Sequence, residues 1–221
     1  MIRISAFSWV PPVAAGLVRD LRVRWALEEA GLPYEARLLN QGDQNTPEYR
    51  QLQPFGQVPV LEEDGITLFE SGAILLYIGE RSEVLLPKDP AARARAVQWV
   101  FAALNSIEPH AWNLALVDLF FSDEEWAKLR RPSAVEFLEK RLDALTERLG
   151  DNEYLEDGRF TAGDLMMTSV LRILRHTDLV SKRPTLEAYQ RRCEARPAFQ
   201  KALADQMEPF EQNAPAAQAA E

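Results

Sequence analysis

A polar triplet, Glu70-Ser71-Gly72, joins the end of a predicted β-hairpin to the start of a predicted helix. The free N–H groups at a helix N-terminus attract an anion, whereas the Glu70 carboxylate attracts a cation. An anion site beside a cation site is what the zwitterionic end of an α-amino acid requires. The simpler interpretation is that the Ser71 hydroxyl only caps the helix, and the residue types alone leave both interpretations open.

A proline stands in the first strand of that hairpin, in the segment QVPVLEEDGITLFE. Asp64-Gly65 between two apolar runs predicts the turn. Proline offers no N–H to a sheet and holds the preceding residue extended. A cis Val58–Pro59 bond would turn the Val58 N–H and C=O outward, where a peptide ligand could pair with them like an added strand. Together with the triplet, this predicts a site for a short peptide with a free α-amino acid end.

The elements that position these residues alternate between strands and helices. The patterns predict a strand IRISAF, a helix LVRDLRVRWALEEAG ended by Gly31, a strand YEARLL, a short helix opened by Thr46-Pro47, the hairpin, and a helix SGAILLYIGERS. The order strand, helix, strand implies a parallel crossover. After residue 91 only helical patterns occur, one of them opened by Thr161 and Asp164 as a capping box.

These patterns predict an α+β protein of two domains, a small α/β module followed by an all-helical domain. We expect the module over residues 1–82, a proline-bearing linker over 83–89, the helical domain over 90–210, and a disordered tail over 211–221. The long helix after residue 91 should bend or break at Pro109. Another amphipathic helix is expected over residues 132–149.

Composition and charge narrow the class of protein. The 221 residues carry a formal net charge of −9, which argues against nucleic-acid binding because phosphate contact needs a basic face. No apolar run approaches the ~20 residues that span a membrane, and the N-terminus lacks the pattern of a signal peptide. A lone cysteine, Cys193, and two histidines speak against disulfides and structural zinc. We therefore expect a cytoplasmic protein without a metal.

The segment QPFGQVPVLEEDGITLFESGAILLYI resembles the glutathione-binding segment of the glutathione transferase family. RVRWALEEAGLPYE resembles the first helix and second strand of that family, and FTAGDLMMTSVL resembles the capping box of its helical domain. The resemblance covers most of the chain. It implies a thioredoxin-like N-terminal domain, an all-α C-terminal domain, a homodimer and a role in detoxification. It also implies that reduced glutathione, as co-substrate, attacks a small and mostly apolar electrophile through its thiolate.

The resemblance also implies a set of glutathione-binding residues. A cis-proline would let the Val58 backbone pair with the cysteinyl unit, Glu70 and Ser71 would bind the γ-glutamyl end, and two glutamines would face the glycyl carboxylate. The set comprises Gln44, Gln57, Val58, Pro59, Glu70 and Ser71.

The residue that stabilises the thiolate is where the sequence departs from the family pattern. The family uses a tyrosine, serine or cysteine near the end of the first strand or the start of the first helix, and this chain has no tyrosine or cysteine there. Ser8 is the nearest hydroxyl, Trp9 offers an indole N–H, and Arg19 offers positive charge at the helix start. Equally, Ser8 could bond its own backbone, and Trp9 could pack on the adjacent prolines.

The resemblance also implies that the long helix of the second domain lines the acceptor pocket, where the candidates are Asn105, Trp112 and Asn113. Such pockets are mostly apolar with a few polar groups. An aromatic residue at helical spacing could equally belong to the core.

The lack of an obvious thiolate donor keeps open a non-catalytic binding or interaction protein of the same fold. Other glutathione reactions, namely isomerisation, reduction of a glutathionyl adduct and reductive dehalogenation, are further alternatives.

Overall fold

A mixed four-stranded sheet is the centre of the first of two units in the computed structural model, which describes residues 1–156 and 158–215. The first unit contains residues 1–82 and those from 196 onward, and the second contains residues 83–195. The expected fold class, a thioredoxin-like α/β module with a helical domain, is confirmed.

The first unit has the predicted order of elements. Its elements within residues 1–82 are β1 (Ile2–Phe7), α1 (Asp20–Ala30), β2 (Tyr34–Leu39), α2 (Pro47–Leu52), β3 (Val60–Glu63), β4 (Ile66–Phe69) and α3 (Ser71–Gly79). The strands lie in the order β2-β1-β3-β4. β1 and β2 are parallel, as the strand-helix-strand order predicted, whereas β3 is antiparallel to both β1 and β4.

Local signals explain where these elements begin and end. α1 ends at Gly31, whose φ of 65° is left-handed, and α2 is capped by the Thr46 side chain with Pro47 in its first turn. α1 begins at Asp20 rather than at residue 17, because residues 12–17 form turns after Pro11. The expectation that Pro59 lies inside the first strand of the hairpin is wrong, since β3 begins at Val60, and the proline therefore removes no N–H from the ladder.

The last helix, α9 (Pro197–Gln212), groups with the first unit. The expectation that the helical domain extends to residue 210 differs from this grouping. The physical reason is the packing of α9 on α1: the Trp25 and Phe199 rings meet edge-on with centroids 4.8 Å apart. Arg196, just before α9, adds two hydrogen bonds of 2.5 and 2.7 Å to the Glu29 carboxylate.

The second unit is helical. Its α-helices in the described chain are α4 (Pro90–Ala102), α5 (Glu108–Ala115), α6 (Glu125–Leu149), α7 (Ala162–Leu171) and α8 (Pro184–Glu194). The bend or break expected at Pro109 takes the form of a change in helix type: a π-helical segment, Ala103–Ile107, ends just before α5, where the proline stands in the first turn. This is the geometry expected where a proline lacks its N–H and crowds the preceding turn. A second π segment, Leu116–Phe120, follows α5.

A capping box at the start of α7 fixes that helix, as predicted. The Thr161 side chain accepts a hydrogen bond from the Gly163 N–H, and the Asp164 carboxylate accepts one from the Thr161 N–H. Gly163 is required there, because a Cβ at this position would lie 2.5 Å from the Trp99 Cβ. The glycine therefore lets the backbone of α7 pass close to α4 at this point.

Two expected boundaries differ from the structure. α6 begins at Glu125 rather than at residue 132, and Pro132 lies inside it. The first two residues of the tail expected over 211–221 belong to α9, and residues 216–221 lie outside the described residues. Among the residues that are described, no helix is both long enough and apolar enough to cross a membrane.

Candidate functional site

The sheet brings the predicted ligand-binding segments to one end. Val60, the first residue of β3, pairs with Phe69, the last residue of β4. Val58-Pro59 directly precedes the one, and Glu70-Ser71 directly follows the other. Because β3 also runs antiparallel to β1, the loop that starts at Ser8 emerges from the same end of the sheet.

Val58 presents its backbone at this end. Its side chain is buried in a small cluster with Leu39, Tyr49 and Val60. The Val58–Pro59 peptide bond is cis. Within residues 1–156 and 158–215, the backbone N–H and C=O of Val58 take part in no hydrogen bond, so both groups can pair with a ligand.

A buried series of hydrogen bonds flanks Val58. The Val60 N–H donates to the Ser5 Oγ over 2.7 Å, and the Ser5 Oγ lies 2.7 Å from the Tyr49 hydroxyl. That hydroxyl donates to the Gln57 carbonyl over 2.8 Å. Burial raises the pKa of Tyr49, although the hydrogen bond with Ser5 acts in the opposite direction. The phenol therefore keeps its proton at neutral pH and stays a donor.

Ser71 is the first residue of α3 and is buried. The interpretation that its hydroxyl caps the helix is wrong, because α3 has no side-chain cap. Instead the Ser71 Oγ accepts a hydrogen bond of 3.2 Å from the Arg22 Nη1 on α1. A guanidinium thus lies beside the α3 N-terminus, whose first N–H groups have no partner within the helix. Together they form a place that favours a carboxylate.

Glu70, the residue before α3, has an unusual backbone. Its φ is 69° and its ψ is 112°, a conformation that a residue with a Cβ seldom adopts and that costs about 1–3 kcal/mol. Strain of this kind occurs preferentially at functional sites. Its side chain is exposed, so the carboxylate can meet a cation next to the anion-favouring end of α3.

Two arginines of α1, Arg22 and Arg24, have different hydrogen-bond partners. Arg24 forms a buried ion pair with Asp20, whose carboxylate lies 2.8 Å away. Asp20 also accepts a 2.7 Å hydrogen bond from Gln206 on α9. Arg22 donates a hydrogen bond to the Ser71 hydroxyl. Of the two, Arg22 is the cation placed beside the candidate ligand site.

The two glutamines differ in how they are held. Gln44 lies in a 3₁₀ turn, Asp43–Asn45, where its side-chain oxygen accepts from the Gly42 N–H over 2.8 Å. Gln57 is exposed at its side chain, while its carbonyl is bound to Tyr49. Gln44 thus has one side-chain contact inside its own loop.

The candidate thiolate donors lie at the end of β1 and in the loop that follows. The Ser8 N–H donates to the Leu39 carbonyl over 2.8 Å, and the Ser8 hydroxyl donates to the Asn40 side chain over 3.1 Å. The expectation of a bond from the Ser8 hydroxyl to its own backbone is therefore wrong. Trp9 is half-buried and accepts at its carbonyl from Gln41. Arg19 is half-exposed, immediately before α1.

The acceptor candidates belong to the second unit. Asn105 is exposed in the first π segment, and Asn113 is half-buried on α5. Trp112 is 42% exposed, with its ring centroid 6.1 Å from that of Phe120. Trp112 is thus a surface aromatic rather than a core residue.

The one cysteine and the two histidines of the chain lie in the second unit. Cys193 is buried. His110 stacks on Phe137 with ring centroids 6.4 Å apart. His176 lies 3.5 Å from an Asp118 oxygen. In the described parts of the chain, no group of three or more histidine, cysteine, aspartate or glutamate residues is arranged to hold a metal ion.

Sequence reasoning missed two residues near Val58, namely Ser5 and Tyr49. It left Arg22 open, because the basic cluster of Arg19, Arg22 and Arg24 could equally bind an anion or form a solvated helix face. Ser5 and Tyr49 are 44 positions apart, and Arg22 and Ser71 are 49 apart, so no local pattern links them.

Comparisons with known proteins agree with this geometry. The family model described as glutathione S-transferase, N-terminal domain, matches residues 14–80, and the model described as glutathione S-transferase, C-terminal domain, matches residues 115–197. A glutathione S-transferase of Hyoscyamus muticus is 31% identical over 199 residues, covering 83% of this chain and 92% of that protein.

Two solved bacterial structures share the fold over nearly the whole chain. A glutathione transferase from Burkholderia graminis, solved with two glutathione molecules bound per subunit, is 28% identical with a TM-score of 0.80, over 91% of this chain and 87% of that chain. A family member from Pseudomonas fluorescens, solved with two glutathione bound, is 27% identical with a TM-score of 0.81, over 91% and 92% of the two chains. With both domain models matched in order along the sequence, the chain belongs to the glutathione S-transferase family.

Proposed function

We propose that the protein is a glutathione transferase that binds reduced glutathione at the end of the sheet where β3 begins and β4 ends. The observation that carries this proposal is the unpaired Val58 backbone at the same end as Glu70 and the Arg22–Ser71 pair. The named activity of the relatives and the glutathione bound in two solved neighbours support the same ligand.

Each part of the tripeptide meets a group of suitable chemistry. The N–H and C=O of Val58 pair with the cysteinyl backbone as an added strand would. The γ-glutamyl carboxylate binds the Ser71 hydroxyl and the N–H groups of α3, with the Arg22 charge close by. The γ-glutamyl ammonium binds the Glu70 carboxylate.

The glycyl carboxylate is assigned to the side chains of Gln44 and Gln57. The exposed Gln57 amide can donate directly. Gln44 uses its side-chain oxygen within its own turn, which leaves the NH₂ end of the same amide to donate. Pro59, which follows Val58, completes the proposed glutathione-binding set.

Activation of glutathione requires its thiol to ionise. A free thiol has a pKa near 8.5, and lowering it by one to two units needs about 1.4–3 kcal/mol of preferential stabilisation of the thiolate. Ser8 is the proposed donor to the sulfur. Its hydroxyl proton now lies toward Asn40, so donation to the sulfur requires the hydroxyl to rotate away from that amide. Trp9 and Arg19 are the alternative donors.

The reaction joins the sulfur to an electrophilic carbon of the second substrate. The sulfur lone pair forms the new bond, and the leaving group departs with the electron pair of the bond that breaks. We assign contact with this mostly apolar acceptor to Asn105, Trp112 and Asn113 on the helical unit. The proposal includes a homodimer, which light scattering of the purified protein would measure.

A second candidate function is a glutathione-binding protein without transferase activity. The Ser8–Asn40 hydrogen bond favours it, because a hydroxyl that keeps this partner does not activate a thiol. The deciding experiment compares glutathione binding with conjugation of a nitro-activated aryl halide. Binding with turnover supports the transferase, whereas binding without turnover of any electrophile in a panel supports the binding protein.

A further inference from the structure

The hydrogen bonds around Val58 form a series with a single direction. The Tyr49 hydroxyl has one proton, and this proton goes to the Gln57 carbonyl. The Ser5 hydroxyl must therefore be the donor in its 2.7 Å contact with Tyr49. Ser5 in turn accepts from the Val60 N–H. Donation thus runs from Val60 through Ser5 and Tyr49 to Gln57, with every proton accounted for.

The last member of this series acts on Val58 through covalent geometry. The Gln57 C=O and the Val58 N–H belong to one planar peptide unit. The only cis bond in the described chain is Val58–Pro59, so this unit is trans and its C=O and N–H point in opposite directions. Fixing the Gln57 carbonyl on the buried Tyr49 hydroxyl therefore directs the Val58 N–H away from the core.

We infer that Ser5 and Tyr49 are positioning residues, which orient the Val58 N–H toward the ligand and strengthen it as a donor. This role rests on the proposed function, since the ligand is glutathione. A carbonyl that accepts a hydrogen bond polarises its own peptide unit, and consecutive bonds of the same direction reinforce one another. Both residues are buried and both hydroxyls are bonded to protein groups, so we assign them a role in binding geometry and not in chemistry.

The surroundings of Tyr49 make this role separable from packing. Its ring belongs to the buried cluster with Leu39, Val58 and Val60, and Tyr49 as a whole is 2% exposed. Tyr49→Phe keeps the ring in that cluster and removes only the hydroxyl. The Gln57 carbonyl then loses its partner, while the apolar contacts persist.

The helical unit offers a matched control. Tyr189 is also buried, and its hydroxyl donates to Asp164 over 3.0 Å. Tyr189→Phe removes one buried phenolic hydrogen bond in the other unit. If the Tyr49 hydroxyl contributed only to stability, both substitutions would lower the melting temperature, and neither would change the affinity for glutathione.

The test measures glutathione affinity by calorimetry together with the amide resonance of Val58. We expect Tyr49→Phe to raise the Kd about fivefold, the effect of one hydrogen bond lost or weakened. The KM for glutathione should rise with it, kcat should stay within about twofold, and the Val58 amide proton should shift upfield without ligand. Tyr189→Phe should leave all four quantities at the wild-type values.

Ser5→Ala provides a second variant, because it interrupts the series one step earlier. Its Kd should rise by a smaller factor than that of Tyr49→Phe. Equal affinities and an unmoved Val58 resonance in wild type, Tyr49→Phe and Ser5→Ala would overturn the inference. Failure of the proposed function is distinguishable, since glutathione would then bind to none of the proteins, the wild type included.

Discussion

Arg22 Nη1 on α1 donates to Ser71 Oγ at the start of α3 across 3.2 Å, and both side chains are buried. A buried guanidinium is thereby held against a helix N-terminus, where the macrodipole also favours negative charge. The two effects act on the same place, the end of the sheet where β3 begins. This arrangement gives the proposed γ-glutamyl carboxylate a site and leads to the first prediction.

Arg22→Met should weaken glutathione binding at least tenfold, because it removes a charge-assisted partner of the carboxylate at similar side-chain length. The measurement is calorimetric titration of wild type and variant. Arg141→Met, on the other unit, serves as a control for loss of one positive charge. A glutathione analogue that lacks the γ-glutamyl α-carboxylate should bind wild type and Arg22→Met equally. A tenfold difference between these two proteins with that analogue would mean that Arg22 does not act on this carboxylate.

We expect Glu70 to strengthen glutathione binding while its backbone conformation destabilises the fold. Glu70→Gly should relieve the strain of φ 69° and leave the free energy of unfolding unchanged or raise it by up to about 1 kcal/mol. It should also weaken glutathione binding by about 1.5 kcal/mol or more, since the γ-glutamyl ammonium loses a charged partner. Denaturant unfolding and calorimetry measure the two effects.

Glu70→Ala separates these contributions. Alanine lacks the carboxylate but keeps a Cβ in the strained conformation, so it should bind as weakly as Glu70→Gly and unfold more easily. Glutathione affinity equal to wild type in both variants would remove Glu70 from the site.

Ser8→Ala should lower kcat with an aryl halide at least tenfold and raise the pKa of bound glutathione, while changing the Kd little. The reason is that the hydroxyl is proposed to stabilise the thiolate, whereas affinity comes from the backbone of Val58 and from α3. Asn40→Ala is the matched control, because it frees the Ser8 hydroxyl from its 3.1 Å bond and should not lower kcat. Unchanged turnover in Ser8→Ala would transfer the role to Trp9 or Arg19.

The packing of α9 on the first unit predicts a large stability effect far from the ligand. Phe199 is 1% exposed against Trp25, so Phe199→Ala should cost about 3–5 kcal/mol of unfolding free energy. Denaturant unfolding followed by hydrogen exchange of α1 amides would measure it. Loss of protection in α7 with none in α1 would contradict the assignment of α9 to the first unit.

Much of the fold could be predicted because its signals are local. Gly31, Thr46 and the Thr161–Asp164 pair each mark a helix end within a few residues, and the structure has all three. The same holds for the hairpin turn at Asp64-Gly65. The parallel pairing of β1 with β2 followed from the helix between them.

The rest depended on contacts between residues distant in sequence. A helix such as α9 looks the same in sequence whether it packs on the helical unit or on α1. Contacts with residues distant in sequence, such as Trp25–Phe199 and Asp20–Gln206, decide between the two. The serine at the start of α3 had a sufficient local partner in its own helix, yet it bonds to Arg22. The positive φ of Glu70 has no signature in its residue type, since strain is maintained by the surrounding structure.

The most direct test of the central claim is an ultraviolet difference titration of the wild-type protein with reduced glutathione at neutral pH. We predict saturable binding accompanied by the thiolate absorbance band, and in Glu70→Gly we predict that both reach their midpoint at a glutathione concentration about tenfold higher or more. No saturable binding in the wild type would contradict the site at Val58, Glu70 and Ser71.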